Sequence, residues 1–182
     1  ANIEQIRQDL DYYCLTVRDD AIEEVTKLLA SSLDMHSWIG HCSGTKSLES
    51  ICHYFKNRAC IYPLQSFRQG EVVKWQSIPV FIWTNQIKKN TKSTPYILAK
   101  SLSPMVHFLS PKQKIPLHVA AVMANNFTYN ILVQCWKILN ENELPKAYLK
   151  PLLLETFRRA FEDGTIQGQT GPAARGDINT IV

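Results

Sequence analysis

Short β-favouring runs alternate with helix-type segments over the first 109 residues, and this alternation is the strongest constraint on the fold. The apolar run at 12–17 is followed by Arg18-Asp19-Asp20, and an Asp pair is an N-cap signal for the helix-periodic segment 21–30. The predicted strands are residues 12–17, 36–42, 60–63, 78–83 and 105–109, and the predicted helices are residues 21–30, 46–54 and 86–102. Such alternation predicts an α/β fold with a mainly parallel sheet.

The pattern changes to helix alone after residue 109. Ser110-Pro111 is an N-cap followed by proline at the first helical position. A helix is predicted from there to about residue 140, with Pro116 kinking or splitting it, and a second from about residue 145 to 163, before a glycine-rich loop. Two domains are therefore predicted, an α/β domain over 1–109 and an all-helical domain over 110–182.

Composition narrows the classes of protein that this chain can belong to. Apolar residues make up 45% and charged residues 20%, which is typical of globular domains and not of disordered chains. The net charge is +4, but the densest basic stretch, residues 88–92, is short, so no nucleic-acid partner is expected. No apolar run has the ~18 residues that a membrane span needs. The five cysteines are odd in number and have no CxxC spacing, which argues against a metal site and favours a reducing, cytoplasmic location.

Three loops follow the carboxyl ends of predicted strands, where open α/β sheets bind their ligands. They are Arg18-Asp19-Asp20, Ser43-Gly44-Thr45 and the segment 64–67. Small residues such as Ser43 and Gly44 allow backbone N–H groups to approach a ligand closely. The alternative interpretation, that these are ordinary turn and cap residues, stays open on spacing alone.

A polar stripe lies on the helix that is predicted after Pro116. At about 100° per residue, His118, Asn125 and Tyr129 fall on one narrow face, with Asn126 at its edge. Polar groups on an otherwise apolar helix need partners, so they either bond within the protein or face a ligand. Histidine can transfer protons near neutral pH, which makes His118 a candidate general acid.

The glycine-rich tail contains a third candidate segment, residues 169–177. Arg175 could bind a carboxylate or a phosphate with its planar guanidinium group. An internal pair between Arg175 and Asp177 that holds the loop is the equally weighted alternative.

These segments together resemble the NADP-dependent oxidoreductases that have a Rossmann-like domain followed by a helical domain of unknown function. The helical part is similar to the dimerising domains of 6-phosphogluconate dehydrogenase and of pyrroline-5-carboxylate reductase relatives. The matching stretches cover nearly the whole chain in the order of the family, and they are YYCLTVRDDAIEEV, HCSGTKSLE, IYPLQSF, IPVFIW, LHVAAVMANNFTYN, KPLLLETFRRA and QTGPAARGD.

The resemblance implies roles for individual residues. His118 would give or take a proton and Asn125 or Asn126 would orient the substrate. The residues matched to the nicotinamide side of the cofactor site are Val17, Arg18, Asp19, His41, Cys42, Ser43 and Gly44. The residues matched to the substrate site are Gln65, Tyr129, Thr170, Gly171 and Arg175.

One feature of the family is missing from this sequence. Family members begin with a strand and a Gly-x-Gly-x-x-Ala/Gly turn that binds the pyrophosphate at a helix N-terminus, whereas this chain begins near the segment before the fourth Rossmann strand. We therefore expect weak or no binding of NADP by this chain alone. We also expect the strand at 12–17 to lie at the edge of the sheet.

Two hypotheses about function follow from the sequence. The first is an oxidoreductase that transfers hydride between nicotinamide and a small carbonyl or imine substrate. The second is a non-catalytic ligand-binding or dimerisation module that retains the fold. The apolar density of residues 131–139 and 149–154 predicts a homodimer formed through the helical part.

Overall fold

A computed structural model of the chain describes residues 5–86 and 89–162. Contacts divide the chain into two compact units, Ala1–Asn125 and Asn126–Val182. The sheet and the helices that cover it belong to the first unit, and the second unit is helical. The domain boundary between residues 109 and 110 stays a prediction, although the change from sheet to helix does occur at Pro111.

The first unit is built on one sheet of five strands in sequential order. The strands are β1 (Tyr12–Leu15), β2 (Trp38–His41), β3 (Asn57–Pro63), β4 (Val80–Thr84) and β5 (Val106–Phe108). All neighbouring pairs are parallel except β3–β4, which is antiparallel. The predicted α/β class with a mainly parallel sheet is confirmed. Among the described residues, β1 and β5 are the outer strands of the sheet.

Helices α1 (Ile22–Leu29) and α2 (Thr94–Leu102) accompany this sheet. Side chains alternate between the two faces of a strand, so β1 directs Tyr13 and Leu15 to one face and Tyr12 to the other. The larger core cluster joins Tyr13 and Leu15 to residues of α1 and to Phe55, and the smaller cluster joins β3 and β4 to Ala99 of α2. Each face of the sheet therefore has its own apolar core.

The helix predicted at residues 46–54 is wrong. Only the short 3₁₀ turn Leu48–Ser50 forms there. Leu48, Ile51 and Phe55 are buried in the larger core cluster, and their spacing of three and four residues imitates an amphipathic helix. The backbone N–H of Cys52 instead donates to the Thr26 hydroxyl at 3.0 Å, so α1 provides a partner that an α-helix would not need.

Helix α3 (Pro111–Val122) begins with a capping box, in which the Ser110 N–H donates to the Gln113 side-chain carbonyl at 3.0 Å. The helix continues through Pro116, so of the predicted kink or split the split does not occur. A π-helical turn, Met123–Phe127, follows α3 instead. π-Helical turns are rare in proteins, and many of those that occur lie at functional sites.

The second unit contains α4 (Thr128–Glu141), a 3₁₀ turn at Lys146–Leu149 and α5 (Lys150–Glu162). Neither α4 nor α5 has a buried residue in the part of the chain that the structure describes. Within that part, no helix combines the length and the apolarity that crossing a membrane requires.

Candidate functional site at the strand ends

The loops that follow β1 and β2 are joined by one carboxylate. The Asp19 Oδ2 atom accepts hydrogen bonds from the Ser43 hydroxyl at 2.7 Å and from the Thr45 hydroxyl at 2.6 Å. The Ser43 hydroxyl oxygen also accepts the backbone N–H groups of Thr45 at 3.2 Å and Lys46 at 3.0 Å. Because β1 and β2 are parallel, both loops lie at the carboxyl ends of the strands, on the same side of the sheet. The hydrogen bonds fix the relative positions of the two loops.

Asp19 is ionised in this arrangement. Partial desolvation opposes its charge, but the hydrogen bonds from Thr45 and Ser43 outweigh that cost, and the pKa of Asp19 lies below its ordinary value. The site therefore holds a negative charge whose two hydroxyl donors come from the neighbouring loop.

His41 lies beneath the second loop and holds its backbone. The side chain is completely buried, and desolvation lowers the pKa of His41 to about 4. The Ser43 N–H donates to Nδ1 at 3.2 Å, so the proton of the neutral ring is on Nε2, which donates to the Ser47 carbonyl at 3.3 Å. Both ring nitrogens are thus engaged by backbone, and the role that the geometry gives His41 is to position the loop.

Gly44 is packed directly against His118 of α3. A Cβ atom at Gly44 would lie 2.3 Å from Nδ1 and 2.7 Å from Cε1 of the imidazole, closer than real contacts allow. The Tyr62 hydroxyl lies 3.0 Å from the same Nδ1 and restrains the ring from the side of β3. The structure therefore brings together the second strand-end loop and the candidate proton-transfer residue, both of which belong to the first unit.

Lys114 extends the charged part of the site. Its side chain is 3% exposed and lies four residues before His118 on α3. Nζ donates to the Lys46 carbonyl and lies 4.4 Å from the centre of the Trp83 ring. Burial lowers the pKa of Lys114, while the charge of Asp19 acts in the opposite direction.

Other predicted cofactor residues lie around this centre. Val17 is exposed after β1, and Arg18 pairs with Asp20 at 2.6 Å. Cys42 contacts the Cys14 sulfur of β1. Gln65, in the loop after β3, lines a surface groove with residues 66–68, 71–74, 77 and 78, and its predicted contact with substrate stays a prediction.

The predicted polar stripe on the helix assumed a regular α-helix. Asn125 and Asn126 lie in the π-helical turn, and Tyr129 lies in the first turn of α4. Asn126 and Tyr129 belong to the second unit, and all three side chains are exposed. Their predicted contacts with substrate stay predictions. Thr170, Gly171 and Arg175 lie outside the described residues.

Sequence reasoning assigned no role to Tyr62 or Lys114, and it named Thr45 only as part of the second strand-end loop. Thr45 and Tyr62 bond directly to predicted site residues, and Lys114 supports the loop from below. Lys114 had a usable signal, since it stands one helical turn before His118 and therefore on the same face. Tyr62 had none, because its contact with His118 spans 56 positions.

The family profile of a domain of unknown function (DUF2520) matches residues 82–182, more than half of the sequence. The chain belongs to this family. A comparison with curated proteins finds no significant match.

Several solved structures resemble the DUF2520 chain over most of its length. A "putative NADP oxidoreductase" from Bacteroides fragilis is 26% identical with a TM-score of 0.84, and the match covers 98% of this chain and 68% of that one. A protein from Thermotoga maritima is 23% identical with a TM-score of 0.70, covering 93% and 66%. A pyrroline-5-carboxylate reductase from Coxiella burnetii is 14% identical with a TM-score of 0.55, covering 96% and 68%.

These similarities confirm the resemblance to NADP oxidoreductases. The chain has an oxidoreductase-like α/β fold, with the helical part toward its carboxyl end. It spans about two thirds of the length of each of these structures.

We expect the DUF2520 chain to lose stability on acidification through His41. Its pKa is about 4 in the folded state and about 6.5 unfolded, so the unfolded state binds a proton first. The contribution is complete above pH 6.5 and is lost as pH falls from 6.5 through 4, by about 3 kcal/mol. Urea unfolding across this range measures the loss. H41Q should flatten the profile and the exposed control H36Q should not; parallel curves for all three proteins would contradict the assignment.

Gly44→Ala should lower the free energy of unfolding by about 1–3 kcal/mol, because the new methyl group displaces the His118 ring. His118→Ala provides the matched background, since it removes the atoms that the methyl group meets. A double-mutant cycle by urea unfolding should therefore show strong coupling, with G44A costing little in the H118A background. Additive losses would show that Gly44 and His118 are not in contact.

Proposed function

We propose that this chain forms the nicotinamide side of an NADP-dependent oxidoreductase that acts on a small carbonyl or imine substrate. The observation that supports the proposal is the contact between Gly44, at the carboxyl end of β2, and His118 on α3. In sheets of this type, ligands bind beyond the carboxyl ends of the strands. A residue that can transfer protons therefore lies against the loop at which we propose that the cofactor binds.

The residues at the strand ends fit a nicotinamide group chemically. Gly44 is buried against His118, but Asp19 and Thr45 are exposed and Ser43 is half-buried, and the side-chain oxygens of these three residues are acceptors suited to the amide group of a carboxamide. The two hydroxyl partners hold the Asp19 carboxylate in a fixed position beside the loop at Ser43. When bound, NADP would supply or accept the hydride.

His118 is placed to handle the accompanying proton. The Tyr62 hydroxyl bonds to Nδ1, which leaves Nε2 as the nitrogen available to a substrate. When Tyr62 donates to Nδ1, the neutral ring carries its proton on Nε2 and can donate it to a carbonyl oxygen or an imine nitrogen. Tyr62 acts as a positioning residue, because it restrains the ring without reaching the substrate itself.

The remaining contacts to substrate follow from the family resemblance. Asn125 or Asn126 would orient the substrate, and Arg175 would bind an anionic group. The other proposed substrate residues are Gln65, Tyr129, Thr170 and Gly171.

We also propose that the chain forms a homodimer through its second unit. That unit exposes large apolar side chains, with Ile131 and Leu152 each 63% exposed and Phe161 89% exposed. A groove in this unit is lined by residues of α4, α5 and the turn before α5, and its apolar members are Trp136, Ala147, Leu153, Leu154 and Phe157. Apolar surface of this extent on helices indicates a protein partner, and a second copy of the chain is the simplest.

Nicotinamide mononucleotide is the probe that tests the cofactor proposal. We expect it to shift the backbone amide resonances of Ser43 and Gly44 and the imidazole resonances of His118, with a dissociation constant of about 1 mM or weaker. Adenosine monophosphate should leave these resonances unchanged. Shifts confined to the loop would favour the non-catalytic binding module, and no shift with nicotinamide mononucleotide would contradict the site. Micromolar binding of whole NADP, measured by calorimetry, would show that its phosphates bind elsewhere on this chain.

Ile131→Glu should weaken the homodimer at least tenfold, because it places a charge on the exposed apolar face of α4. Sedimentation velocity at micromolar concentration measures the association. Gln134→Glu adds the same charge at an exposed polar position of the same helix and should leave the dimer intact. A wild-type chain that sediments as a monomer would contradict the proposal.

A further inference from the structure

Two cysteines from neighbouring parallel strands are in contact beside the strand-end loops. Cys14 lies on the edge strand β1, and Cys42 directly follows β2. Cys14 is in register with Gly40, so Cys42 is the next residue on the same face of β2. The two sulfur atoms are 3.4 Å apart, and both cysteines are free thiols.

The two thiols differ in their chemistry. Cys14 is exposed, and the hydrogen bond from Cys42 stabilises its thiolate, which holds the pKa of Cys14 below its ordinary value against the effect of burial. The same bond, together with desolvation, raises the pKa of Cys42. A reactive thiol needs access and a stabilised thiolate, and Cys14 has both. Cys60 has neither, because it is buried and desolvation raises its pKa well above the ordinary value.

We propose that Cys14 and Cys42 form a reversible disulfide when the protein meets a peroxide, and that Cys14 is oxidised first. The Cys14 thiolate attacks one peroxide oxygen, the O–O bond breaks, and Cys14 becomes a sulfenic acid while hydroxide leaves and takes up a proton. The Cys42 sulfur then attacks the Cys14 sulfur, loses its proton and expels the second oxygen as water. Two thiols and one hydrogen peroxide yield one disulfide and two water molecules.

Closure of this bond would act on the loop that carries the candidate site. The sulfur atoms must approach from 3.4 Å to about 2.05 Å, a movement that the side chains and the carboxyl ends of the two strands share. Cys42 is bonded to Ser43, whose hydroxyl donates to Asp19. The disulfide would also close a loop of the unfolded chain between residues 14 and 42, so the oxidised protein should unfold at a higher temperature.

Differential alkylation with mass spectrometry on the 182-residue chain tests the proposal. After treatment with hydrogen peroxide, the peptides that contain Cys14 and Cys42 should be recovered as one cross-linked species that has lost the mass of two hydrogens. Dithiothreitol should restore both thiols. C14S and C42S should abolish the cross-link, while the matched control C135S, in α4, should retain it.

C42S should also accumulate sulfenic acid at Cys14, which dimedone labelling detects, because the resolving thiol is missing. Several outcomes would overturn the proposal. They are full alkylation of both cysteines after peroxide treatment, a Cys14–Cys14 bond between two copies on a non-reducing gel, and labelling of Cys135 ahead of Cys14. The wild-type measurement alone decides the matter if either serine variant fails to fold.

Discussion

The carboxylate of Asp19 is the group on which the geometry of the candidate site depends. It accepts two hydroxyls from the loop after β2, and that loop must therefore turn back toward β1. The turn presents Gly44 to α3, where the His118 ring occupies the space that any side chain would need. Hydrogen bonds to a charged acceptor are about twice as strong as those between neutral groups. One carboxylate can therefore fix the relative positions of two loops.

Buried polar groups below this loop hold its backbone in place. His41 is neutral and bonds to backbone through both nitrogens, while Lys114 donates to the Lys46 carbonyl and lies over the Trp83 ring. Each therefore satisfies part of the loop's backbone from below, where water is excluded. Losing such a partner would leave a buried polar group unsatisfied, a larger cost than the bond itself contributes.

The sequence predicted the sheet well because each strand is a compact β-favouring run that ends in turn residues. It failed at residues 46–54, where irregular chain buries Leu48, Ile51 and Phe55 at helix-like spacing. The meeting of the Asp19 and Ser43 loops was predictable, since parallel strands place their carboxyl ends at the same end of the sheet. Tyr62 was not, because its role depends on the register of β3 against a helix far along the chain.

If the chain has the proposed function, the loops after β1 and β2 contribute more to the orientation of the cofactor than to its binding affinity. Most of the binding free energy of a dinucleotide comes from its phosphates, which a glycine-rich helix N-terminus binds. The strand-end loops would bind only the nicotinamide, where small errors of position cost much of the rate. Rigid support from Asp19, His41 and Lys114 therefore matters more for hydride transfer than for cofactor affinity. Changes beneath the loop should act first on the rate of the chemical step, and a weak affinity of this chain for nicotinamide is compatible with a catalytic role.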